Sequence, residues 1–215
     1  GPPSGSYANT FNGNISAWNT SNVTRMDNMF EGQANFNQNI GSWDVSKVDN
    51  MSYMFRYATA FNQSLNSWDV SDVEFMTSMF QNATSFNQPL NNWDMTKVFA
   101  ISSMFQYATS FNQPLASWDT SNIRSFNSAF SNAIAFNQPL NSWVLDPTKV
   151  NGNRLNFMFS GASSFNQDLD TWDVSGLERL QGTFTNATSF NGDITTWDTS
   201  NIETMTSLFS GATSF

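Results

Sequence analysis

The 215-residue chain carries a formal net charge of −9, contains neither cysteine nor histidine, and is 39% apolar with 15% aromatic residues. That composition is ample for a buried core in one domain or two. It excludes disulfide and thiolate chemistry and removes the usual general base of nucleophilic catalysis; its eight scattered basic residues make no phosphate-binding face for nucleic acid.

The first six residues, GPPSGS, read as a protease-cleavage scar and linker outside the fold. From residue 7 the same phrase recurs. Phe-Asn occurs at Phe11, Phe36, Phe61, Phe86, Phe111, Phe136, Phe165 and Phe190, spaced by 25 residues except for one step of 29. Each tryptophan follows seven residues later, from Trp18 to Trp197. The consensus is F-N-Q-x-L-x-x-W-D-x-S-x-V-x-x-M-x-x-M-F-x-x-A. A fixed period of this length predicts stacked units that bury their apolar faces only against one another. Residues 7–215 are therefore expected to form a single solenoid of about eight 25-residue repeats. Phe215 would open a further repeat and no polar cap is evident, so the chain is expected to be a fragment of a longer array.

Within a repeat, Phe61 to Trp68 is too short for a helix and predicts a short parallel strand. Pro89, Pro114 and Pro139 push the start of the paired segment to about Leu90–Trp93 and its equivalents. The other half places Val48, Met51, Met54, Phe55 and Ala58 on one face of a short helix. Ser46 with Asp49 reads as its capping box, repeated by Ser71 with Glu74, Ser175 with Glu178 and Ser200 with Glu203. The expected fold class is an α/β solenoid with one short parallel strand and one short helix per repeat.

The tryptophans fit an inward ladder better than an exposed sugar platform, because large aromatics are mostly buried. The unvarying Asn after Phe fits a ladder of side-chain amides. Aspartate follows tryptophan at Asp44, Asp69, Asp94, Asp119, Asp173 and Asp198, with Asn19 and Val144 in the other two repeats. Stacked carboxylates repel, so these residues either hold calcium between repeats or cap backbone N–H groups in their own turns. Asn19 could cap nearly as well, which favours the second role. Calcium is the one cofactor the pattern admits.

Recognition is expected on the variable polar positions of the strand half, with Asn66, Asn91, Asn141, Asp168 and Asp170 forming an extended, weakly acidic face. The long repeat reads VLDPTKVNGNRLNFM from Val144 to Met158, with turn residues Pro147 and Asn151-Gly152-Asn153. Such an insertion is either a loop on a binding face or a neutral bulge. A threonine column (Thr59, Thr84, Thr109, Thr188, Thr213), interrupted by Ile134 and Ser163, raises an ice-binding face as a further alternative.

The unit MF-x-x-A-x-x-F-N-Q-x-L-x-x-W-D-x-S-x-V-x-x-M resembles the BspA-like leucine-rich-repeat surface proteins, and more closely the 25-residue repeats of mycoplasma-type surface lipoproteins. The resemblance covers nearly the whole chain and implies a leucine-rich-repeat-like right-handed coil without catalytic residues. It also implies an extracellular or cell-surface location and adhesion to a protein or glycan on another cell or matrix. The expected function is a non-enzymatic recognition or adhesion module, monomeric and without membrane insertion; the alternative is a structural spacer, stiffened by calcium.

Overall fold

The computed structural model describes residues 10–149 and 154–215. The GPPSGS leader and residues 150–153 of the insertion lie outside them. Each repeat forms one layer of a stack, and the layers are numbered here from one to eight by the phenylalanines that open them, Phe11 to Phe190.

A layer is a succession of β-turns with an apolar residue at each corner. In layer three the N–H of Trp68 donates to the Leu65 carbonyl (3.0 Å), Val73 to Val70 (2.9 Å), Met79 to Met76 (3.2 Å), Ala83 to Phe80 (3.0 Å) and Phe86 to Ala83 (3.0 Å). Every one of these corner residues is buried. Between the corners, alternate N–H groups leave the layer altogether. Those of Met51, Tyr53, Phe55 and Tyr57 donate to the carbonyls of Phe75, Thr77, Met79 and Gln81 in the next layer, at 2.8–2.9 Å. Isolated parallel bridges join Arg25, Asn50, Phe75, Ala100 and Ser125 in sequence, and Arg179 to Thr204.

This architecture overturns the expected α/β solenoid with a strand and a helix in each repeat. The described residues contain no α-helix and no extended strand, and their one helical element is the 3-10 turn Pro147–Lys149. The segment from Val48 to Ala58 is not helical because its alternate N–H groups bond to the next layer, whereas a helix would bond all of them four residues back. The i, i+3 spacing of its apolar residues is instead the spacing of turn corners. The segment Leu90–Trp93, expected to pair as a strand, closes on itself, Trp93 N–H to Leu90 carbonyl at 3.2 Å. Pairing between layers thus lies in the half expected to be helical. With no helix to cap, Ser46 bonds instead to Asp44.

The turns require a left-handed residue twice per layer, as in turns whose third position takes positive φ. Tyr53 and Tyr57 have φ of 62° and 61°, and Ser78 and Asn82 have 55° and 59°. The second of these positions holds Gly32, Asn82, Asn132, Gly161, Asn186 and Gly211, the residue types that tolerate this conformation, and tyrosine only at Tyr57 and Tyr107. Tyr107→Gly is therefore expected to stabilise the chain by about 0.5–1 kcal/mol, most of the roughly 1–2 kcal/mol left-handed cost being recovered and part lost to greater freedom in the unfolded chain. Chemical denaturation of the two proteins side by side checks this; a lower midpoint for the glycine variant refutes it.

The core is a set of columns running through the stack. The Phe-Asn phenylalanines follow one another at centroid distances of 5.7–6.1 Å. The Met-Phe phenylalanines form a second column at 5.5–5.8 Å, each lying 3.9–4.1 Å from a ring of the first. The tryptophans from Trp43 to Trp172 are buried. Each Nε1–H from Trp43 to Trp197 donates to the carbonyl of the Leu or Ile at the turn corner of the preceding layer, at 2.9–3.2 Å. That bond accounts for tryptophan in layers two to eight, since phenylalanine would fill the space but leave the carbonyl of the layer before without its donor.

Candidate functional site

The strand-half residues expected to form a recognition face are largely spent on cross-links between layers. Asn66 Nδ2 donates to Asn91 Oδ1 (3.4 Å), and the Asn92 N–H donates back to Asn66 Oδ1 (3.0 Å). Asn141 Nδ2 donates to Asp170 Oδ1 (2.7 Å), and Asp168 Oδ1 accepts from the Asp193 N–H (2.9 Å). The threonine column is engaged in the same way. The hydroxyls of Thr59, Thr84, Thr109, Thr188 and Thr213 donate to backbone carbonyls one layer back.

Each aspartate after tryptophan caps its own turn. Asp44, Asp69, Asp94, Asp119, Asp173 and Asp198 all accept through Oδ1 from the backbone N–H two residues on, at 2.9–3.1 Å. Asn19 does the same for Ser21 (3.1 Å). Among the described residues no three acidic side chains converge as metal ligands would. The Ser46 hydroxyl and N–H hold the Asp44 carboxyl below its ordinary value, and the N–H groups of Ser121 and Ser200 do so for Asp119 and Asp198. A carboxylate whose pKa is lowered by folding stabilises above its unfolded value and loses that contribution as pH falls through the folded one. Thermal stability is thus expected to hold from neutral pH to about pH 5 and to fall below about pH 4. A combined Asp44→Asn, Asp119→Asn, Asp198→Asn variant should flatten that decline in melts run across the acid range. Calcium and EDTA should give coincident melts at neutral pH.

Two regions depart from this pattern of small, internally bonded polar groups. The first lies on the outward side of the paired half, in layers two to five. The Arg56 guanidinium sits 4.6 Å above the Tyr53 ring and 5.8 Å from that of Tyr57, and it also pairs with Glu31. Arg124 lies 5.1 Å over Phe99, whose ring meets Phe75 edge-on at 6.2 Å. Phe75 and Tyr107 are 42% and 44% exposed. Four of the five arginines, Arg25, Arg56, Arg124 and Arg179, stand on this half. Reading the segment as a helix concealed this face, because it scattered these residues around a cylinder.

The second region is the insertion in layer six. Asp146 to Lys149 form a strap fastened at both ends. Lys149 Nζ donates to the Ser121 carbonyl (3.0 Å) and to Asn122 Oδ1 (2.6 Å) in layer five. Arg154, only 1% exposed, donates Nη1 to the Asp146 carbonyl (2.8 Å) and lies 5.5 Å over the Phe126 ring, leaving Nε and Nη2 without a hydrogen-bond partner among the described residues. Layer seven makes room for the strap. A Cβ on Gly176 would stand 2.8 Å from the Pro147 carbonyl oxygen, and the equivalent position elsewhere holds Lys47, Asp72, Lys97, Asn122 or Asn201. This exchange of a long side chain for glycine was visible in the sequence once the repeats were aligned, and it marks a fitted feature rather than a neutral bulge. Beside the strap opens a pocket of about 430 Å³, lined in part by Asn141, Val144, Pro147, Thr171 and Asp173.

No helix among the described residues is long and apolar enough to cross a membrane. No curated protein and no solved structure matches the chain. The family model described as "Mycoplasma protein of unknown function, DUF285" matches it over three overlapping stretches, residues 6–88, 65–155 and 148–215. Those stretches take in every layer of the stack, and the chain belongs to this Mycoplasma repeat family.

Proposed function

We propose that the chain is a non-enzymatic recognition module displayed at a cell surface, in the manner of the BspA-like adhesins, and that it engages a protein partner through the arginine–aromatic face of layers two to five. The observation that carries this reading is the pair of arginine–aromatic groups on the paired half, Tyr53–Arg56–Tyr57 and Phe75–Phe99–Arg124, with the exposed Tyr107 on the same half, on a surface rich in Ser, Thr, Asn and Gln. Tyrosine and arginine are the residues in which interface binding energy concentrates, and rings held against guanidinium groups lose little further freedom on binding. Exposed aromatics of this size carry no benefit to the stack, whose internal columns are complete without them.

The test is binding of the purified chain to host cells and to an array of matrix proteins, compared with a Tyr53→Ser, Phe75→Ser, Tyr107→Ser variant. All three positions lie outside the buried columns, so the variant should keep its melting temperature. Its affinity for the partner should fall by about two orders of magnitude, the loss expected when hot-spot aromatics are truncated. Binding that survives this change but is lost on replacing Asn66 and Asn91 would move recognition to the polar half.

A further inference from the structure

We infer that the strap pocket of layer six is a separate ligand site for a neutral, hydroxyl-rich molecule of sugar size. Its volume of about 430 Å³ falls in the ordinary range for small-molecule sites. Asp146 and Pro147 of the strap form part of its wall; the strap is tied to layer five by Lys149, bonded by Arg154 through the Asp146 carbonyl, and accommodated against layer seven by Gly176. A buried arginine with two nitrogens unpartnered among the described residues is a costly way to hold a loop that has no use.

The chemistry of the ligand follows from what the lining has left to offer. The Ser142 hydroxyl gives its proton to the Ala116 carbonyl (2.7 Å), the Thr171 hydroxyl donates to Asn141, and the Asn141 amide donates to Asp170 (2.7 Å). Asp173 has one carboxylate oxygen occupied by the Ser175 N–H and hydroxyl. What remains toward the pocket from these side chains is lone pairs and the second N–H of the Asn141 amide, which call for a ligand that both donates and accepts, as a hydroxyl does. An anion is disfavoured because the strap's cation, Lys149, is engaged by Ser121, Asn122 and Asp146 (3.6 Å). A simple cation is disfavoured because, of the two carboxylates in the lining, Asp146 is met by Thr148 and Lys149 and Asp173 offers one free oxygen, and among the described residues no three acidic groups converge. Val144, 51% exposed where other layers carry Asp or Asn, sets an apolar wall beside Pro147 against which the C–H face of a sugar ring can lie.

The site shares no residue with the arginine–aromatic face, so the two readings fail independently. The experiment is saturation-transfer NMR on the full chain with a panel of neutral mono- and disaccharides, with choline chloride and sodium acetate as charged probes, at concentrations of the order of ten millimolar. At least one saccharide should bind saturably. Val144→Trp, which fills the pocket mouth from an exposed position, should weaken that binding about tenfold or more at unchanged melting temperature. The Tyr53→Ser, Phe75→Ser, Tyr107→Ser variant should bind the sugar as the parent does. Silence across the saccharide panel, indifference to Val144→Trp, or preferential binding of choline or acetate would each overturn the assignment.

Discussion

Phe105→Ala is expected to cost about 3–5 kcal/mol and to lower the melting temperature by roughly 10 °C. The ring is fully buried. It sits 5.7 Å from Phe80 and 5.5 Å from Phe130 in its own column, 4.0 Å from Phe111 in the neighbouring one, and 6.3 Å from Trp118. Truncation opens a cavity walled by four aromatic rings, each locked by its own neighbours, so the site has little room to collapse. Position in the stack adds a second consequence. A layer touches only the layers on either side, so stability is close to a sum of layer and interface contributions. A defect in layer four weakens two adjacent interfaces at once, and the thermal transition should broaden as the halves on either side lose their coupling. Phe215→Ala, 54% exposed beyond the last complete layer, should change neither the midpoint nor the width appreciably. Calorimetry on the two variants separates these outcomes. A Phe105→Ala protein that melts as sharply as the parent, a few degrees lower, would mean that the layers do not unfold as coupled neighbours.

The sequence showed the stack plainly and its backbone hardly at all. The 25-residue period, the inward Trp and Phe columns and the Asn ladder could all be read from residue identity, because one steric or hydrogen-bonding demand per layer leaves one residue type per layer. The path between corners was misread for a physical reason. Val48, Met51, Met54, Phe55 and Ala58 satisfy an i, i+3, i+7 pattern that a helix and a chain of β-turns produce equally. The discriminating signal was Gly or Asn two residues after the phenylalanine of the second column, as in Gly32, Asn82, Asn132 and Gly161. Glycine or asparagine recurring mid-segment argues for repeated positive φ and against a helix interior. Tyr57 and Tyr107 at the same position blurred it. The candidate sites were less legible. Polar residues such as Asn66 and Asp170 looked free because a sequence does not show that their partners stand one layer away. The arginine–aromatic face depended on getting the paired half right.

The Asn ladder supplies the sharpest test of how the layers recognise one another. Each Asn Oδ1 accepts from the Asn N–H of the next layer, in an unbroken series from Asn12 to Asn191 at 2.7–3.0 Å. Glutamine joins where it is present, as Gln113 Nε2 donates to Asn87 Oδ1 (2.9 Å). Asn87→Ala would leave the part-buried Asn112 N–H and the Gln113 amide without their acceptor, an expected cost of about 1–3 kcal/mol. Asn87→Asp keeps an acceptor oxygen at the same distance and both bonds become charge-assisted, so at neutral pH it should retain most of the lost stability. Acidification should then favour the parent, because protonating the new carboxylate removes the gain. Asn191 provides the internal control. Its N–H donates to Asn166 (2.7 Å), but among the described residues its side chain accepts from no further layer, so Asn191→Ala should cost less than about 0.5 kcal/mol. The difference between two identical substitutions, one mid-stack and one at the last layer, isolates the acceptor from the rest of the side chain. Equal losses at Asn87 and Asn191 would place the value of the asparagine in its own turn and leave cohesion between layers to the aromatic columns and the backbone pairing alone.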